Sequence, residues 1–169
     1  AAGGGPGGAP PGRPRAPPAL RGAGDALLLL APYWTAIPGI VDRVGGARWR
    51  PVPAYLDVLE QGLSPEALAD RLRASLQPAT RALYLNTPNN PTGAVLSLSH
   101  LEAIAAVACE RDLWVLSDEV YEHIVFDGAE HVSIASLPGM SARTVSLFSF
   151  SKSYAMAGSE PNWQRYQVP

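Results

Sequence analysis

Short, unbroken apolar runs that end abruptly in polar clusters leave this chain few folds to choose from. Ala26 to Ala31 is such a run, and a strand apolar on both sides has to be covered on both faces, as in a parallel sheet flanked by helices. Arg81 to Leu85, Leu113 to Leu116 and Thr144 to Phe148 read as further strands, and Trp49 to Val52 as one that Pro51 and Pro53 place at an edge. Helical segments fall between them. Thr35 to about Val44 is one, with Pro38 in its first turn and Gly45-Gly46 closing it. Ser64-Pro65-Glu66 opens a second, with an N-cap, a proline at the first position and an early acid, ahead of Leu68, Leu72 and Leu76. Ser99 and Glu102 have capping-box spacing beside Leu101, Ile104, Ala105 and Ala108. This alternation predicts an α/β fold, a mainly parallel sheet with flanking helices in three layers. Three polar clusters then fall at strand C-termini, where open α/β sheets place ligands: the loop from Asn86 to Gly93, Asp118 with Tyr121, and the segment Ser149 to Ser153.

Residues 1–23 are almost entirely Ala, Gly, Pro and Arg and bury too little apolar surface to offset ordering their backbone, so disorder is expected there. The glycines at 3, 5 and 8 match G-x-G-x-x-G, but no strand precedes them and Pro6 interrupts them, which rejects a dinucleotide loop. A net charge of -2 gives no electrostatic case for nucleic acid or an anionic membrane. The leucine run ends at Pro32, far short of a membrane span. We read no metal site. Cys109, the lone cysteine, lies in an apolar helical stretch and is expected to be a buried thiol in a reducing compartment. The expected location is the cytoplasm, although the absence of acidic residues before Asp25 is compatible with an organellar transit peptide.

Lys152 is the only lysine, against twelve arginines. A guanidinium stays charged in proteins, whereas an ε-ammonium can lose its proton and attack a carbonyl. A carbonyl cofactor held beside it would need a carboxylate for a ring nitrogen, donors for a phenolic oxygen, an aromatic wall and phosphate ligands, as pyridoxal phosphate does. Asp118 could supply the carboxylate, Tyr121 and Asn90 the donors, and Ser149 and Ser151 the hydroxyls for phosphate. Each has a plainer reading: an N-cap or ion pair for Asp118, turn and rim groups for Tyr121 and Asn90, an ordinary turn for the serines.

Asn-Asn-Pro-Thr-Gly at 89–93, Ser-Asp-Glu-Val-Tyr at 117–121 and Ser-Phe-Ser-Lys-Ser at 149–153 together resemble, in order and separation, the signatures of the class I and II aminotransferases, the fold-type I pyridoxal-phosphate enzymes. Ala31-Pro32-Tyr33-Trp34 resembles a fourth element, and the aspartate and prephenate branch is the nearest in appearance. The resemblance runs from about Gly24 to Gly158. It implies that Lys152 binds the cofactor aldehyde and afterwards moves the substrate's proton. By the same resemblance Asp118 holds the pyridine nitrogen, Tyr121 and Asn90 the phenolic oxygen, and Asn90 also the substrate carboxylate. Trp34, with Tyr33 as fallback, would stack on the ring, and Ser149 and Ser151 would hold the phosphate. A cis Asn90-Pro91 bond is implied too. The activity implied is transfer of an amino group from an amino acid to a 2-oxo acid, by a full-length homodimer; a lyase with the same site is the near alternative.

The chain departs from the pattern after Lys152. Where the family places a phosphate-clamping arginine, eight positions on, stands Glu160, whose charge opposes a phosphate. Residues 159–169 read as an unrelated tail. The expectation is a central part of the family's large domain, with sheet edges left uncovered. The competing reading is a truncated, non-catalytic fragment or pseudoenzyme that acts by binding a full-length relative.

Overall fold

A computed structural model of the chain describes residues 24–43, 47–156 and, as backbone, 164–167. The segment 1–23 and Glu160 lie outside the described residues. Six strands, β1 (Ala26–Ala31), β2 (Arg48–Pro53), β3 (Thr80–Asn86), β4 (Trp114–Asp118), β5 (Thr144–Ser149) and β6 (Gln164–Gln167), form one sheet in the order β2-β1-β3-β4-β5-β6. The first five are parallel to their neighbours, and β6 pairs antiparallel to β5. The helices are α1 (Ala36–Arg43), α2 (Tyr55–Gln61), α3 (Pro65–Ser75), α4 (Leu98–Glu110) and the single turn α5 (Phe150–Ser153).

The two faces of the sheet follow from strand alternation. Leu28 and Leu30 of β1, Leu83 and Leu85 of β3 and Val115 of β4 pack with Leu68 and Leu72 of α3 and Leu101, Ile104 and Ala108 of α4. On the opposite face Leu27, Leu29, Ala82 and Tyr84 meet Ile37 and Val41 of α1. Helices therefore cover both faces, which makes the three layers that the apolar runs require. Among the described residues no helix is long and apolar enough to cross a membrane.

The sheet ends in β2 on one flank and in β6 on the other. The β5 flank carries β6, a pairing that the short polar stretch Gln164–Gln167 gave no pattern to announce. At the other flank, the N–H groups of Arg48 and Ala54 donate to the carbonyls of Asp25 and Ala31 on the β1 side. Alternation then turns positions 49, 51 and 53 outward, and two of these are Pro51 and Pro53, which have no N–H to offer.

Three further details differ from expectation. Helix α4 is capped by Ser97, whose Oγ accepts from the His100 N–H, so the Ser99 and Glu102 pair is not its capping box. Cys109 is exposed on α4, its Sγ 3.8 Å from Met140 Sδ, and is not the buried thiol expected. Helix α2 begins after Ala54, which makes no side-chain cap bond, and ends at Gly62 in the left-handed conformation. By contrast Ser64 caps α3 as its sequence suggests, its Oγ accepting from the Ala67 N–H at 3.2 Å.

The cap assignment on α4 is testable by denaturant unfolding. Ser97→Ala should cost about 1 kcal/mol, the usual value of a lost N-cap, whereas Ser99→Ala should stay within about 0.5 kcal/mol. Equal losses from the two would overturn the assignment.

Candidate functional site

Parallel pairing sets the ends of three strands on one rim, with Asn86 beside Asp118 and Asp118 beside Leu147 in register. The buried Asn86 side chain joins the first two. Its Nδ2 donates to the Asp118 carbonyl at 2.8 Å and its Oδ1 accepts the Asn90 N–H at 2.7 Å. Its own backbone N–H donates to the buried Tyr55 hydroxyl of α2 at 2.8 Å. Its amide side chain and its backbone N–H are thereby engaged at the strand end.

The asparagine loop is equally constrained. Asn89 Oδ1 accepts from the Thr92 hydroxyl at 2.7 Å, and Asn89 Nδ2 donates to the Pro32 carbonyl at 3.1 Å, which draws in the loop after β1. Gly93, at φ 74°, takes a left-handed turn that suits glycine. The Asn90-Pro91 bond is cis, as the resemblance implies, and so are Ala31-Pro32 and Thr87-Pro88.

Asp118 closes β4 with its carboxylate on the α1 face of the sheet. Oδ2 accepts from the Tyr84 hydroxyl at 2.8 Å, and Oδ1 lies 3.4 Å from the Val120 N–H. Burial pushes the carboxyl above the ordinary range; the Tyr84 and Val120 hydrogen bonds oppose the rise and the charge of Glu119 adds to it. Tyr84 is held protonated, first by its own burial and then by the Asp118 charge. Tyr121 stands beyond, its hydroxyl 3.4 Å from Asn90 Nδ2, and Lys152 Nζ lies 5.8 Å from the centre of its ring. Among the described residues the Lys152 ammonium has no carboxylate partner, and the side chain is exposed on α5.

Lys152, Tyr121 and Asn90 are thus linked by successive contacts, and Asn86 joins Asn90 to the Asp118 carbonyl. Ser149 caps α5, its Oγ accepting from the Ser151 N–H at 3.1 Å, which leaves the Ser149 hydroxyl proton free to be donated. Trp34 is 49% exposed, and no contact among the described residues joins it to the linked group. Tyr33 is turned aside, its ring edge-on to Trp49 at 6.2 Å. A cleft of about 210 Å³ beside α5, between Glu122, His123, Phe148 and Tyr154, touches neither Asp118 nor Asn90. The donor set suits the cofactor that the resemblance implies. It has an amine without an acidic partner, a carboxylate whose burial favours a cationic neighbour, and two donors adjacent for one anionic oxygen. No cluster of metal-ligating side chains occurs among the described residues.

Tyr84 and Asn86 were missed from sequence. A signal existed for Tyr84, since a tyrosine inside a buried strand must find a partner for its hydroxyl.

Because the Asp118 pKa is raised on folding, the ionised group costs stability at neutral pH and costs nothing below the unfolded carboxylate range, where it is protonated in both states. Asp118→Asn should therefore raise the Tm of the ligand-free chain at pH 7, and the gain should vanish as pH falls below the ordinary carboxylate pKa. A gain that persists at low pH, or a loss at pH 7, would contradict the burial argument.

The aminotransferase class I and II family model matches residues 7–159, reaching further toward the N-terminus than the motifs alone carry the resemblance. Aromatic-amino-acid aminotransferase 2 of Thermococcus litoralis is 53% identical over 79% of this chain and 33% of its own length. Aspartate/prephenate aminotransferase of Thermus thermophilus is 39% identical over 83% of this chain and 34% of its own. The crystal structure of an aromatic aminotransferase from Pyrococcus horikoshii superposes with a TM-score of 0.76 at 38% identity, covering 89% of this chain and 38% of that one. The chain spans about a third of the length of the curated relatives it matches. With nearly the whole sequence inside the family match and the three polar clusters on one rim, this chain belongs to the class I and II aminotransferases.

Proposed function

We propose that the chain carries the cofactor-holding rim of a pyridoxal-phosphate-dependent aminotransferase, which moves an amino group from an amino acid to a 2-oxo acid. The single observation that carries this reading is the placement of the one lysine, unpaired by any described carboxylate, beside the linked Tyr121, Asn90 and Asp118. When bound, pyridoxal phosphate supplies an aldehyde for amine exchange and an electron sink for the α carbon of the amino acid.

The residues divide the work by their chemistry. Lys152 Nζ, once deprotonated, would hold the cofactor aldehyde, and as a free amine it would be the base that takes and returns the proton at the substrate α carbon. Asp118 binds the pyridine nitrogen, and a cationic partner there offsets the burial that otherwise favours its protonated form. Tyr121 and Asn90 donate to the phenolic oxygen, Asn90 also meeting the substrate carboxylate. The hydroxyls of Ser149 and Ser151 would donate to the phosphate, and Trp34 would supply the aromatic wall. Glu160 stands where a basic phosphate ligand belongs in the family pattern, so retention of the cofactor is expected to be weak. The relatives' names give different substrates, aromatic amino acids in one and aspartate or prephenate in another, so the likeness does not choose the donor or the acceptor. As in the family pattern, the working unit is a homodimer of full-length chains.

Incubation with pyridoxal phosphate followed by borohydride should fix the label on Lys152, with half-saturation at high cofactor concentration, and Lys152→Arg should abolish it. Asp118→Asn should weaken labelling by roughly 10- to 100-fold, the range of a lost charge-assisted bond. Glu160→Arg should tighten it. Conversion of the bound cofactor to its amine form on adding an amino acid should depend on Lys152. Label no greater in the unaltered chain than in Lys152→Arg would overturn the reading.

A further inference from the structure

Two carboxylates follow one another at the end of β4, and alternation sends them to opposite faces of the sheet. Asp118 serves the rim. Glu119, only 1% exposed, turns the other way and accepts three hydrogen bonds. Ser133 Oγ and Ser146 Oγ donate to its Oε1 at 2.8 and 3.0 Å, and His131 Nε2 lies 2.9 Å from its Oε2. A carboxylate only accepts, so Nε2 carries the proton.

These partners come from different places. His131 and Ser133 end the irregular segment that begins at Glu119 itself, and Ser146 is on β5. The backbone at Glu119 is fastened to the same strand, its N–H donating to the Leu147 carbonyl at 2.9 Å. Both ends of the 119–133 segment are therefore gathered on one buried carboxylate. The segment carries Tyr121, in a turn closed by the Glu122 N–H to the Glu119 carbonyl and the Ile124 N–H to the Tyr121 carbonyl.

The contacts that Tyr121 makes for itself are too weak to place it. Its hydroxyl meets Asn90 Nδ2 at 3.4 Å, the long limit of a hydrogen bond, and Lys152 is 5.8 Å from the ring centre at an exposed site. The three bonds to Glu119 are shorter, at 2.8 to 3.0 Å, and end on a carboxyl group that is buried. Nor is the cluster arranged simply for stability. A carboxylate is costly to bury, and the buried His131 Nδ1, together with the Ser117 and Thr144 hydroxyls on the same face, finds no hydrogen-bond partner among the described residues.

We propose that Glu119 is a positioning residue: by clamping His131 and Ser133 to Ser146 beneath the rim, its carboxylate sets where the Tyr121 hydroxyl stands relative to Asn90 and Lys152. The proposal rests on the functional reading above only in giving that hydroxyl a cofactor oxygen to meet.

The test compares the unaltered 169-residue chain with Glu119→Gln and Glu119→Ala. Without cofactor, nuclear Overhauser contacts between the Tyr121 ring and the Lys152 methylenes report the placement directly, and amide exchange reports the 120–133 segment against β1 to β3. Glu119→Gln should keep the contact, since its carbonyl accepts from both serines and its amide can donate to the other tautomer of His131. Glu119→Ala should lose it and expose the segment to exchange while the sheet stays protected. With pyridoxal phosphate and borohydride, half-saturation of the Lys152 label should rise roughly 10-fold in Glu119→Ala and stay near that of the unaltered chain in Glu119→Gln. Should Glu119→Ala not fold, Ser133→Ala removes one donor alone and should weaken the contact in the same direction. A Tyr121 contact that survives Glu119→Ala overturns the proposal, as does one that is lost with labelling unchanged. If the unaltered chain takes no label, the functional reading fails, and the contact and exchange comparison still decides whether Glu119 places Tyr121.

Discussion

A single buried asparagine ties this structure together where it matters. At the end of β3 the ladder stops, and a strand end under a polar loop leaves backbone groups that water cannot reach. Asn86 resolves this by bonding to three separate segments: α2 through the Tyr55 hydroxyl, β4 through the Asp118 carbonyl, and the asparagine loop through the Asn90 N–H. Tyr55 is wholly buried and its hydroxyl is pushed up by that burial, so it remains a neutral partner across the ordinary pH range. The position of Asn90 depends on this junction. A leucine at the same place would fill the volume and leave the Asn90 N–H and the Asp118 carbonyl without these partners.

The rim shows how strand alternation allows neighbouring residues opposite duties. Asp118 and Glu119 are adjacent in sequence, and each would raise the other's cost if both faced one side. The sheet separates them. Asp118 keeps a tyrosine and a backbone N–H as its described donors and remains poised for a cation, while Glu119 is buried and engaged by three side-chain donors. Two identical functional groups, one residue apart, thus end as a binding group and an anchor.

Much of the fold was legible because its signals are local. Ala26–Ala31 and Thr80–Asn86 are apolar enough to declare themselves strands, and once the sheet is parallel its polar ends must share a rim. The remaining features depend on contacts that sequence does not display. Ser97 and Ser99 both look able to cap α4, and only the path of the chain decides between them. Cys109 follows Ala108 on α4, and one residue of helix rotation carries it from the packed side to the exposed one. Helix α2 has no capping side chain to mark it. Of the site, the lysine, the aspartate and the asparagine loop could be read as motifs, whereas Tyr84, Asn86 and Glu119 owe their roles to partners 34, 31 and 27 positions away in the chain.

The two flanks of the sheet bear on how copies of this chain behave together. Growth of a cross-β fibril needs a template strand with a repeating row of donors and acceptors, renewed at each addition. At β2 the outward row is broken by Pro51 and Pro53, and at β5 the position is already taken by β6. A partly unfolded copy arriving at β2 meets an outward row short of two donors, which disfavours in-register extension at that flank.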